Sequence, residues 1–196
     1  MSLRLRHCLV WCSYSKRKTP TTGAWILHPF MMPSKSVVSP SFAQRCAPSS
    51  HLTEHGIRGQ LFYPACSMTA WIECVQVVDF DPESLRLTLP RAVHHAATAI
   101  DDGKIVYVHC TAGLGRAPAT CIAYLFWFRD FNLDQAYEHL TSIRPCGPSR
   151  DAIRGATYDI LSGGDWNAFQ ALAPHAYTTL LQEDKHMLQY HILKNQ

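Results

Sequence analysis

Apolar positions in the middle of the chain recur in two rhythms. Residues 72–78 (IECVQVV) are mostly apolar and rich in β-branched side chains, and they stop at Asp79, the pattern of a strand. The stretch DFDPES that follows carries loop chemistry. Val93, Ala96, Ala97 and Ile100 then fall at i, i+3, i+4 and i+7, one face of a helix. Thr88 is placed to cap that helix, Pro90 sits in its first turn and Gly103 stops it. Residues 104–109 (KIVYVH) read as a buried central strand. One further helix is predicted over about 116–128, and another from an Asn132 cap with Gln135 at the reciprocal position. After the breaker RPCGPS, Ser149 caps a helix running to about residue 161. Beyond SGGDW, a last helix is expected to begin near Pro174.

This order of strand, helix, strand, then helices predicts an α/β fold with a parallel-rich central sheet, helices on its flanks and a crossover connection. The loop that begins at Cys110 then lies at the carboxyl end of a central strand, where open α/β sheets hold their ligands.

Composition sharpens this picture at the N-terminus. The chain has 196 residues, a net charge of +3 and 47% hydrophobic residues, enough for one domain with a core. The charge is uneven. Residues 1–53 contain no Asp or Glu and hold Arg4, Arg6, Lys16, Arg17, Lys18, Lys35 and Arg45, so the remainder is acidic overall. A body of that sign is not a nucleic-acid binder, because phosphate contacts need clustered positive charge. The first 53 residues are basic, acid-free and rich in Ser, Thr and Pro, the composition of a disordered organelle transit peptide. The longest wholly apolar run, 121–128, is far too short for a transmembrane segment. The eight cysteines lack paired metal-ligand spacing and read as free thiols; neither a metal nor another cofactor is implied.

The candidate chemistry sits in VHCTAGLGRAP. Cys110, five residues and then Arg116 form a C-x5-R loop between strand and helix. Backbone N–H groups from Thr111, Ala112, Gly113, Leu114, Gly115 and Arg116 can face inward in so tight a turn, with Gly113 and Gly115 permitting the backbone angles. The following helix points its N-terminal dipole at the same place, which makes a cradle for a tetrahedral dianion. A positive field of this kind holds a cysteine as thiolate, the attacking form. Arg116 offers a fork to two phosphoryl oxygens, which lysine cannot do. Attack by Cys110 gives a cysteinyl-phosphate that water cleaves. Asp79, 31 residues upstream on the loop after a strand, is the candidate proton donor and later base, with Asp81 as its competitor. His109 is expected to support the loop through ring hydrogen bonds.

These residues resemble the dual-specificity branch of the protein tyrosine phosphatase superfamily. CTAGLGRAP, DFDPESLRLTLP, RPCGPSRDAIRGATYDIL and GDWNAF together resemble the plant starch-excess-type glucan phosphatases, in the short branch without a carbohydrate-binding module. Ala117 fits this group, where most of the superfamily carries Ser or Thr. The resemblance implies a starch phosphatase of plastids acting on phosphorylated glucan such as amylopectin, with Cys110 as nucleophile, Arg116 as clamp, Asp79 as acid and Phe80 as an acid-loop aromatic that contacts glucan. Trp166, Phe169 and Tyr177 could add sugar contacts, since sugar C–H faces lie on aromatic rings, or could pin the C-terminal extension onto the core. Phe126 and Trp127 belong to packing. Thr111 and Leu114 leave the loop without Lys, which disfavours polyanionic substrates.

The resemblance also implies opening strands that the chain has little room for before Asp79. Residues 1–53 therefore read as leader, 54–71 as unassigned, 72–162 as an N-terminally incomplete catalytic domain and 163–196 as a C-terminal extension. Everything before about residue 70 is expected to be irregular, and the 72–78 strand to have at most one partner. The competing functions are a glucan phosphatase, a dual-specificity phosphatase acting on phosphoprotein with the same thiolate, and a catalytically impaired phosphate- or glucan-binding relic. A monomer is expected.

Overall fold

The computed structural model describes residues 7–14, 52–53, 56–63, 68–110 and 112–194. Strands β1 (His7–Tyr14), β2 (Leu52–Thr53), β3 (Gly56–Tyr63), β4 (Met68–Val77) and β5 (Ile105–His109) form one sheet in the order β2-β3-β4-β1-β5. The helices are α1 (Pro82–Asp101), α2 (Arg116–Phe128), α3 (Leu133–Ile143), α4 (Arg150–Ser162), α5 (Trp166–Gln170) and α6 (Gln182–Lys194).

The α/β class and the β4–α1–β5 crossover are present, but the parallel-rich sheet is corrected: among the described residues every ladder is antiparallel. β4 and β5 do run in the same direction, with β1 inserted between them. Val10 lies opposite Cys74 on one side and His109 on the other. The expectation of missing opening strands and of an irregular start is corrected as well. Residues 7–14, expected to be disordered leader, supply the strand between β4 and β5, and the unassigned 54–71 stretch holds β3 and the start of β4. β4 thus has two partners, β3 and β1. The rest of the 1–53 leader expectation, apart from β2, lies outside the described residues.

Helix α1 starts earlier than its apolar rhythm implied. Asp81 is its N-cap, accepting from the N–H of Glu83 and of Ser84, and Pro82 occupies its first turn. Thr88 and Pro90 lie inside it, and Thr88 Oγ1 donates back to the Ser84 carbonyl at 2.7 Å. A proline in a helix interior costs about 3 kcal/mol. Burial of Leu85, Leu89, Ala92, Val93 and Ala96 along one face offsets that cost.

Helix α2 is the centre of the core. It packs on β5, α1, α3, α4 and α6, and is therefore apolar nearly all round. Phe126 and Trp127 are fully buried, as their setting predicts, and Trp127 Nε1 donates to Thr157 Oγ1 of α4 at 2.9 Å. α3 carries the reciprocal Asn132–Gln135 cap, and α4 starts at Ser149 and ends on Gly163 at φ 82°, as the sequence signals. The last helix begins at Gln182, not near Pro174. Its apolar face is narrow, and the turns before it are tied down by Arg154, whose guanidinium donates to the carbonyls of Ala173 and Ala176. Among the described residues, no helix is long and apolar enough to cross a membrane.

Gly155 marks the tightest helix contact. A Cβ there would lie 2.7 Å from Arg86 Cδ and 2.8 Å from Trp166 Cζ3. Gly155→Ala should therefore destabilise the protein by about 1–3 kcal/mol, as overpacking does. A denaturation midpoint equal to that of the wild type would show that Arg86 and Trp166 yield without cost.

Candidate active site

The Cys110 loop is built by the abrupt change from strand to helix. β5 ends at His109, Cys110 follows as a buried residue, residues 112–115 turn, and α2 begins at Arg116. Thr111 lies outside the described residues. Gly113 holds φ +68°, a conformation that a side chain would strain. Its missing Cβ also leaves room for Arg144: a Cβ would sit 2.9 Å from Nη1 and 3.0 Å from Nη2. Gly115 differs from expectation. It has φ −122° and open space where a Cβ would go, so steric need applies at Gly113 alone. The loop is held from outside by the Gly147 N–H, which donates to the Leu114 carbonyl at 3.0 Å.

The second half of the site comes from the turn after β4. Asp79 Oδ1 lies 3.0 Å from Arg116 Nη2, so the candidate acid and the candidate clamp form an ion pair. The Arg116 side chain is buried, and that of Asp79 is 30% exposed. Asp81, the competitor, is occupied as the cap of α1. The turn is fixed at both ends, because the Val78 N–H donates to Ser84 Oγ at 2.9 Å. Between the two aspartates, Phe80 is 98% exposed at φ +56°, a left-handed conformation uncommon for an aromatic residue.

The other aromatic candidates are distributed differently. Phe169 is buried beneath Trp166, with ring centroids 5.0 Å apart, and also contacts Tyr158. Its role as a substrate contact is corrected, since its faces are covered. Trp166 is half-buried with the Arg86 guanidinium 4.3 Å from its ring centroid, so it pins α5 to α1. Tyr177 meets Tyr158 edge-on and shares a hydrogen bond with Ser162.

The His109 ring stacks on Tyr107, two residues back on the same face of β5, with centroids 5.4 Å apart. Burial pushes its pKa below the ordinary 6.5. Two further thiols lie near the loop. Burial pushes Cys121 up to about 12, with Cys146 and Cys110 adding to the effect, and burial also raises Cys146 while Arg144 opposes it. Sequence reasoning passed over Arg144, because RPCGPS was read as a helix breaker and as part of a resemblance, with no role given to its arginine. Its signal is the arginine at the end of α3, next to Pro145.

Residues 66–153 match the family model described as dual specificity phosphatase, catalytic domain. This segment is similar to the catalytic domain of dual specificity phosphatases. It contains Asp79, Cys110, Arg116 and Arg144, while β1, β2, β3, α5 and α6 lie outside it. Over 89 residues, the chain is 48% identical to an amyloplastic phosphoglucan phosphatase of Castanea sativa, covering 45% of this chain and 24% of that one. It is 32% identical over 124 residues to a chloroplastic phosphoglucan phosphatase of Arabidopsis thaliana, 63% of this chain and 21% of the relative. Dual specificity protein phosphatase 5 of Rattus norvegicus is 29% identical over 80 residues, 41% of this chain and 21% of the relative. The match thus spans less than a quarter of each of these relatives.

The displaced His109 titration gives a pH test of the domain. The native state favours the neutral ring, so the unfolded chain takes up the proton first as pH falls through about 6.5. Stability contributed by the neutral ring is present above that pH and is lost below it. His109→Gln should flatten the acid-side decline, measured as the change in denaturant midpoint between about pH 7.5 and about pH 5.5. An identical decline in the variant would assign the pH dependence to other groups.

Proposed function

We propose that this chain is a cysteine-dependent phosphatase that hydrolyses phosphate monoesters on glucan, in the starch metabolism of a plastid. The observation that carries the reaction is the convergence of Asp79 and Arg116, paired at 3.0 Å, on the loop that begins at Cys110. A phosphate in the loop meets the amides of residues 111–116 and the Arg116 fork. The thiolate of Cys110 attacks phosphorus and forms the S–P bond as the P–O bond to the sugar breaks. With the phosphate dianion in place of the carboxylate as the partner of Arg116, Asp79 takes up a proton from water and gives it to the departing oxygen. Asp79, now ionised, takes a proton from water as water attacks the cysteinyl-phosphate, which releases inorganic phosphate and restores the thiolate. No protein group is left changed, so the cycle closes without a cofactor.

The glucan assignment is supported by the two phosphoglucan phosphatases among the relatives and by the exposure of Phe80 beside Asp79. A flat aromatic face at the rim of a phosphate site fits a sugar ring better than it fits water. Plastid location is supported by the amyloplastic and chloroplastic names of the same relatives. A second reading, phosphoprotein as substrate, is favoured by the dual specificity protein phosphatase among the relatives. Parallel phosphate release from solubilised phosphorylated starch and from a phosphotyrosyl peptide separates the two, and faster turnover of the peptide would end the glucan reading.

Two substitutions test the chemistry. Cys110→Ser should abolish turnover and leave phosphate binding largely intact, because the amide ring and Arg116 remain while the hydroxyl is not ionised. Appreciable release by that variant would show that the thiolate is not the nucleophile. Asp79→Ala should slow an alkyl phosphate, whose alkoxide leaves badly, far more than an aryl phosphate. The expected loss on the alkyl substrate is about 10²–10⁴-fold, the usual worth of a positioned proton donor. Equal losses on both substrates, or a larger loss from Asp81→Ala, would identify the wrong carboxylate.

A further inference from the structure

Helix α6 is fixed to the body by one face and leaves the other open. Leu188 and Ile192 are buried beneath it. Lys185 Nζ donates to the Arg129 carbonyl at 2.9 Å, Gln189 Nε2 to the Trp127 carbonyl at 2.7 Å, and His94 Nδ1 to the Ile192 carbonyl at 3.1 Å. The opposite face carries Glu183, Met187, Tyr190 and Lys194, all exposed. At i, i+4, i+7 and i+11 they fall within an arc of about 60°, the spacing of a coiled-coil seam. Met187 is 48% and Tyr190 58% exposed, so two large apolar groups stand at the middle of a rigid helix facing water. Lys194 Nζ lies 5.5 Å from the centroid of the Tyr190 ring, which keeps it in line with the seam. Among the described residues neither Glu183 nor Lys194 forms an ion pair.

We propose that this face of α6 is the contact surface for a second copy of the chain, docked antiparallel about a two-fold axis. The order of charged and apolar residues along the seam argues for both the occupant and the direction. With the axis between Leu188 and Gln189, Glu183 of each copy faces Lys194 of the other, and Met187 of each copy faces Tyr190 of the other. A two-fold contact needs a surface that is complementary to itself, and this one is. Opposite charges close both ends, and between them a thioether meets an aromatic ring, a favourable pairing. A parallel arrangement would set Glu183 against Glu183 and Lys194 against Lys194, with like charges at both ends. Leu193, 42% exposed beside the seam, adds apolar area. A seam of this length is short, so the association is weak and salt-sensitive. It lies outside the residues matched to the phosphatase family and contains none of the groups given a part in the chemistry, so it stands apart from the phosphatase reading.

Sedimentation velocity of the full chain across a range of protein concentrations reads the association. At low salt the average mass should rise from that of one chain toward that of two, and the rise should shrink as salt is added. Tyr190→Lys should abolish the rise, because it sets a charge at the centre of the seam. Glu183→Lys alone and Lys194→Glu alone should each weaken self-association about ten-fold, the scale of two exposed ion pairs. An equal mixture of those two variants should associate more strongly than either alone. The double variant Glu183→Lys, Lys194→Glu should recover the association of the wild type, because the exchange restores opposite charges in an antiparallel pair and not in a parallel one. Recovery also shows that the single variants lose a contact and not the fold. A mass of one chain at every concentration would overturn the proposal and leave the monomer expected from the sequence. Association untouched by Tyr190→Lys would place the contact on another surface, and a double variant as weak as the single ones would exclude the antiparallel seam.

Discussion

The site depends on a spacing set by the sheet. β4 and β5 run in the same direction and present their carboxyl ends, Asp79 and Cys110, on one edge, but β1 stands between them. Two strand spacings separate those ends by about 10 Å, too far for a direct contact between short side chains. Arginine is long enough to bridge that gap from the first turn of α2, and the 3.0 Å pair between Arg116 and Asp79 is the result. A shorter cation at this position would leave the Asp79 turn and the Cys110 loop as two unrelated loops. The pair is also anchored in a dry setting on the arginine side, so Asp79 sits where Arg116 holds it.

The acid turn is braced from behind by the same helix that crosses the sheet. Asp81 caps α1, Ser84 takes the Val78 N–H, and two residues further Arg86 runs to Asp159 of α4 beneath the ring of Trp166. Taking both members of that ion pair out of water is costly, and a buried pair is weak evidence for stability on its own. Burial raises the pKa of Asp159 while Arg86 lowers it, which is the same competition seen from the carboxylate. What the pair adds is position. It joins α1, α4 and the short α5 at one point, so the C-terminal segment fixes the helix that follows the Asp79 turn. Of the two roles the sequence left open for the aromatic residues of that segment, sugar contact or pinning the extension onto the core, Trp166 and Phe169 take the second in this joint.

The contrast between what the sequence disclosed and what it hid follows from the range of the contacts involved. The boundaries of α2 and α4, the Asn132–Gln135 cap and the C-x5-R turn depend on residues within about six positions of each other, and each was legible. The start of α1 was also local, but Thr88 and Pro90 outweighed Asp81 and Pro82 because an interior proline normally breaks a helix. Burial of the α1 face by distant elements overrode that rule. β1 was hidden because its role comes from pairing with strands some 60 and 95 residues away, and composition argued against it. Its basic, hydroxyl-rich surroundings carry no trace of the two ladders. Arg144 was hidden for the same reason: its meaning lies in a glycine 31 residues upstream.

Selectivity among the thiols follows from the same geometry. Cys110, Cys121 and Cys146 lie close enough to influence one another, yet only one stands at the end of a strand facing a helix N-terminus. Cys121 is carried on α2 into the packed interior, where burial pushes its thiol up to about 12, and a protonated thiol is a poor nucleophile. Cys146 is raised by burial too, although Arg144 beside it works in the other direction. The loop therefore needs no bulky shield to keep its neighbours from reacting. The start of α2 thus sets the two apart: Cys110 stands at the end of β5 just before the helix, and Cys121 lies about one and a half turns into it.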